Sequence, residues 1–70
     1  MTDYVSITVN GDSVTVGRDL TVSELLTTLG YDHDRVAVEI DGEICPRTSF
    51  PDRPVVDGTS FEVVTFVGGG

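Results

Sequence analysis

Apolar and polar residues alternate over Val5, Ile7 and Val9, the period of a half-buried strand. Asn10-Gly11 follows, a strong short-range hairpin signal, and Val14 and Val16 resume the alternation. A β-hairpin is therefore predicted over residues 4–16. After the break at Gly17-Arg18-Asp19 the period changes. Val22, Leu25, Leu26 and Leu29 stand at i, i+3, i+4 and i+7, one apolar stripe of a helix. Thr21 and Glu24 form a capping-box pair, and Leu20 and Leu25 hold the staple positions around it. Gly30 supplies the C-terminal stop, so the helix is predicted over Val22 to Leu29. At that length it must pack on a sheet to be stable.

Alternation returns at Val36, Val38 and Ile40. Asp41-Gly42 marks another tight turn, and Glu43-Ile44-Cys45 begins a short fourth strand that Pro46 ends. Residues 46–56 hold three prolines and read as an irregular crossing, with Phe50 plugging the core. After Asp57-Gly58, Phe61 to Val67 form the longest apolar strand. Such a strand buries both faces only inside a sheet. The order β-β-α-β-β-β with a central last strand is α+β, a β-grasp (ubiquitin-like) fold. It has a mixed sheet of four to five strands with one main helix across it. The expected core is Val5, Ile7, Val14, Val16, Leu25, Leu26, Leu29, Val36, Val38, Ile44, Phe50, Phe61 and Val63. One domain is expected over residues 1–67, followed by a flexible glycine tail at 68–70.

That tail changes the picture. Gly68-Gly69-Gly70 follows the last apolar run, and no fold requires three glycines at a free carboxyl end. The segment is thin and reaches about 10 Å when extended. Its tip carries the Gly70 carboxylate. A thin arm ending in a carboxylate can enter a narrow active site of another protein and be activated there. The bland alternative is a frayed end.

Composition narrows the options. Eight Asp and four Glu face four Arg and no Lys, a net charge of -8. Nucleic-acid binding needs clustered cations and is excluded. The acidity suits a basic partner surface, plain solubility or a high-salt cytoplasm. No apolar stretch approaches the roughly 20 residues that span a bilayer, and no signal-peptide pattern opens the chain. One cysteine forms no internal disulfide and no multi-cysteine metal centre, so a cytoplasmic location is expected.

The remaining chemical candidates are sparse. Cys45 reads as a small buried hydrophobe rather than a nucleophile. His33 lies between Asp32 and Asp34, too thin a ligand set for a metal. Val64 and Phe66 are either core or an apolar docking patch beside the tail, and Arg47 is either a partner contact or an ordinary surface arginine. No nucleophile–base pair, paired acids or metal set appears, so the chain is not expected to be an enzyme.

The stretches Val36-Ala-Val-Glu-Ile-Asp-Gly-Glu-Ile-Cys-Pro-Arg47 and Asp57-Gly-Thr-Ser-Phe-Glu-Val-Val-Thr-Phe-Val-Gly-Gly-Gly70 are similar to the ThiS family of sulfur carrier proteins. That family serves the making of the thiazole ring of thiamine. Val9-Asn-Gly and Leu20-Thr-Val-Ser-Glu-Leu-Leu agree with it. The resemblance implies that an adenylyltransferase of the ubiquitin-activating type uses ATP to adenylate Gly70, with Gly68 and Gly69 entering its channel. Sulfur drawn from cysteine by a desulfurase then gives a thiocarboxylate, which thiazole synthase receives. No cofactor is expected on the carrier itself. The small subunit of molybdopterin synthase and a ubiquitin-like modifier joined to proteins through Gly70 are the alternatives. Without lysine, the chain cannot form polymers through its own side chains.

Overall fold

The computed structural model describes residues 3–66. Two tight turns of one kind organise its sheet. β1 (Tyr4–Val9) and β2 (Asp12–Gly17) pair antiparallel, with Val5 opposite Val16 and Ile7 opposite Val14. Asn10 and Gly11 between them have φ of 52° and 86°. This left-handed pair is the type I′ turn, whose twist matches the flanking strands. β3 (Val36–Ile40) and β4 (Glu43–Cys45) repeat the device with Asp41 and Gly42 at φ 50° and 86°.

α1 (Val22–Leu29) begins and ends on the expected signals. The Glu24 amide donates to Thr21 Oγ1 (3.2 Å), and the Thr21 amide donates to Glu24 Oε1 (2.9 Å), closing the capping box. Gly30 takes φ 83° just past the helix. Its N–H donates to the Thr27 carbonyl and that of Tyr31 to the Leu26 carbonyl, so two terminal carbonyls are satisfied. At the other end, the amides of Val22 and Ser23 donate to the carbonyls of Arg53 and Phe50. The crossing segment thus satisfies the orphan donors of the first turn. A 3-10 helix at Arg47–Ser49 opens that segment, and Phe50 and Val55 plug the core from it.

β5 (Ser60–Thr65) lies at the centre of the five-stranded sheet, in the order β2-β1-β5-β3-β4. It runs parallel to β1 and antiparallel to β3. Ile7, Val9, Val16, Val36, Val38, Ile40, Phe61 and Val63 form the inner face, against Val22, Leu25 and Leu26 of α1. The β-grasp expectation holds.

The structure decides one open alternative, the exposure of β5's outer face, and differs from the sequence reading in three details. β5 is central, yet it buries one face only: Phe61 and Val63 are covered, Glu62 and Val64 face out, and Thr65, on the inner face at the strand's end, is exposed. Among the described residues, one α-helix covers one side of the sheet and no second layer covers the other. Ile44, expected in the core, is 69% exposed. The alternation puts Cys45 inward on the short β4 and therefore Ile44 outward. Val5, Val14 and Leu29 pack on the core's margin, while Val9, Val22, Ile40, Cys45 and Val55 join it. The last strand stops at Thr65, and Val67, expected within it, lies outside the described residues.

Candidate functional site

The site is built around the C-terminal end of β5, where the chain leads into its glycine tail. Three main-chain ties fix that strand. The Ser60 amide donates to Asp41 Oδ1 (2.9 Å), and the Asp41 amide donates to the Ser60 carbonyl (2.8 Å). Mid-strand, the Val63 amide donates to Asn10 Oδ1 (2.7 Å), and Asn10 Nδ2 donates to the Val63 carbonyl (3.1 Å). Beyond the strand's end, the Phe66 amide donates to the Arg35 carbonyl (2.7 Å). Arg35 is itself held in a 3-10 helix (His33–Arg35), where Asp32 caps the Asp34 amide and its carboxylate lies 3.6 Å from Arg35 Nε. The point from which the tail departs is therefore set by the sheet. Sequence reasoning missed the Asn10 and Asp41 ties. Their signal was present, because both residues occupy turn positions whose side chains can reach back to neighbouring main chain.

The outer face beside this point is apolar. Val64 is 57% and Phe66 50% exposed, and Ile44 joins them two strands away. Ala37 stands opposite Val64, Glu39 opposite Glu62, and Ile44 opposite Glu39. Large exposed apolar side chains grouped on one face mark contact surfaces. Arg47 is exposed on the 3-10 helix beyond β4, separated by β3 and β4 from Val64. Gly68, Gly69 and Gly70 lie outside the described residues.

The other candidates have ordinary places. Cys45 is buried, its Sγ 3.8 Å from the Pro46 carbonyl. Burial pushes its thiol up from the usual cysteine range, and the positive charge of Arg53 opposes this in part. A protonated buried thiol is a poor nucleophile. His33 Nε2 lies 3.0 Å from Thr27 Oγ1. Among the described residues, no three His, Cys, Asp or Glu side chains are grouped to hold a metal ion. No described helix is long and apolar enough to cross a membrane.

A five-stranded β-grasp sheet with one helix, leading from its central strand into a glycine terminus, defines a ubiquitin-like protein. The chain belongs to the ThiS family, whose sequence model matches residues 3–70. It is similar to the crystal structure of the thiamine biosynthesis protein ThiS from Geobacter metallireducens, at 39% identity and a TM-score of 0.80. That match covers 94% of this chain and 100% of the other. A computationally designed protein based on human erythrocytic ubiquitin shares the fold, at 20% identity, a TM-score of 0.55 and coverage of 99% and 98%. A thiazole synthase of Paramagnetospirillum magneticum is 39% identical over 66 residues. These make up 94% of this chain but only 20% of that protein. The protein ycf40 of Pyropia yezoensis is 35% identical over 66 residues, 94% of this chain and 93% of the other.

Proposed function

We propose that this chain is a sulfur carrier of thiamine biosynthesis whose reacting group is the Gly70 carboxylate. The observation that carries the reading is the family match, which runs through residue 70 and so includes the triglycine end. The geometry supports it, because a fixed strand end beside an exposed apolar face offers the tail to a docked enzyme. A carboxylate is a poor electrophile until it has a good leaving group. An activating enzyme of the ubiquitin-activating type supplies one from ATP, forming the Gly70 acyl-adenylate and releasing pyrophosphate. A sulfide-level nucleophile, its sulfur taken from cysteine as a persulfide by a desulfurase and released from that persulfide by a thiol reductant that is oxidised to its disulfide, then attacks the acyl carbon. AMP leaves, and the product is a Gly70 thiocarboxylate.

Gly68 and Gly69 carry no Cβ and let the carboxylate pass through a narrow channel. Val64 and Phe66 dock the enzyme, and Arg47 contributes from the margin. The chain holds no cofactor of its own in this scheme and acts as a cosubstrate rather than a catalyst. The 39% identical segment within a protein named thiazole synthase supports thiazole synthase as the acceptor.

The test is the intact mass of the chain after incubation with its activating enzyme, ATP and a sulfur source. One sulfur should replace one oxygen, and the change should map to the C-terminal peptide. A mass change at Cys45, or none, would refute the reading.

A further inference from the structure

The outer face of β4, β3 and β5 carries a charge arrangement that the fold itself does not use. Register sets Glu39 directly opposite Glu62, with Ile44 on Glu39's other side. The neighbouring outward pair is Ala37 and Val64, and Phe66 follows along β5's line. Two carboxylates thus face each other within an apolar field. Like charges directly opposite on a sheet destabilise it. Glu39 is half-buried and Glu62 exposed, and neither carboxylate has an ion-pair or hydrogen-bond partner among the described residues.

We propose that this face docks a protein surface that is apolar around one arginine or lysine, and that this cation enters between Glu39 and Glu62. The proposal rests on the carrier reading above, and the partner is the ATP-dependent activating enzyme. Charge complementarity selects a cationic centre, and a guanidinium can bridge two carboxylates with parallel hydrogen bonds. The position selects an enzyme that takes the tail. Phe66, the edge of the patch, is four residues from Gly70, a reach of about 14 Å when extended. A second copy of this chain is a poor occupant. Two-fold self-pairing would bring four carboxylates together.

The test compares wild-type carrier with Glu62→Arg and with the double variant Glu39→Gln/Glu62→Gln. Affinity for the purified activating enzyme is measured by calorimetry at low and high salt. Charging is followed by intact mass, and stability by urea midpoint. Both variants should keep or raise the midpoint, because each removes the like-charge opposition. Both should bind at least about tenfold more weakly. The double variant should also lose most of the salt dependence that the wild type shows.

Normal charging with either variant binding within about twofold of wild type overturns the proposal alone. Self-association of the wild type that both variants abolish also overturns it, in favour of a second copy. Wild-type protein that is neither bound nor charged overturns the carrier reading and this proposal with it.

Discussion

The Asn10 side-chain amide and the Val63 main chain exchange two hydrogen bonds, 2.7 Å and 3.1 Å long. β1 ends at Val9, so this pair takes over where the parallel β1–β5 ladder stops. The turn residue does two jobs at once: it accepts the left-handed backbone and it holds the central strand. Asn10→Gly isolates the second job, since glycine keeps the positive φ without the amide. It should cost about 1–2 kcal/mol, read from urea midpoints. Asn10→Ala should cost more, because alanine also strains the turn. A glycine variant as stable as wild type would make the latch energetically silent.

Cys45 gives a pH prediction. Its thiol is raised, mainly by desolvation, so the folded state keeps its proton longer than the unfolded chain does. The resulting stability is fully present below the unfolded thiol value and is lost as pH rises through the folded one. Urea midpoints should therefore fall as pH rises past the ordinary thiol value of about 8.5, and fall less steeply in Cys45→Ala. Equal slopes in the two proteins would remove Cys45 as the cause. Iodoacetamide should likewise modify the folded protein far more slowly than the unfolded one.

The helix separates capping from packing. Thr21→Ala removes an acceptor at a partly exposed end and should cost about 1 kcal/mol. Leu26→Ala empties a fully buried site and should cost about 2–5 kcal/mol. The ordering of the two midpoints is the check.

Most of the fold was legible because each element carries local punctuation. Asn10-Gly11, Asp41-Gly42, Thr21 with Glu24, and Gly30 act through their own backbone angles and nearest hydrogen bonds, which a sequence displays. What was not legible depends on layers. Along Phe61 to Phe66 the pattern leaves open whether Val64 is core or surface, and only the absence of a second layer among the described residues puts it outside. Ile44 was misplaced for the same reason: in a three-residue strand, alternation alone gives no indication of which face is covered. The opposition of Glu39 and Glu62 was invisible because register links residues 23 positions apart. At the candidate site, the sequence displays the triglycine end but leaves Phe66 open between core and surface. The Asn10, Asp41 and Arg35 ties that hold Val63, Ser60 and Phe66 are long-range contacts.

The tail prediction follows from those ties. The sheet fixes the chain through Phe66, so the number of residues beyond it sets how far the carboxylate reaches. Deleting Gly70 leaves Gly69 as the terminus, roughly 3.5 Å short of the chemistry. Displacement of about 1 Å can cost ~100-fold in rate, so charging should nearly vanish. The urea midpoint should not change, because the core of Phe61, Val63 and Leu25 is untouched. A bulky side chain at Gly69 should block charging at the channel instead, with the carboxylate at full reach. These two variants separate reach from width: the deletion should still bind the activating enzyme, since Val64 and Phe66 remain, while failing to form the adenylate. Cys45→Ser should be charged at the wild-type rate. Full-rate charging of a chain lacking both Gly69 and Gly70 would mean that the carboxylate is not the reacting group.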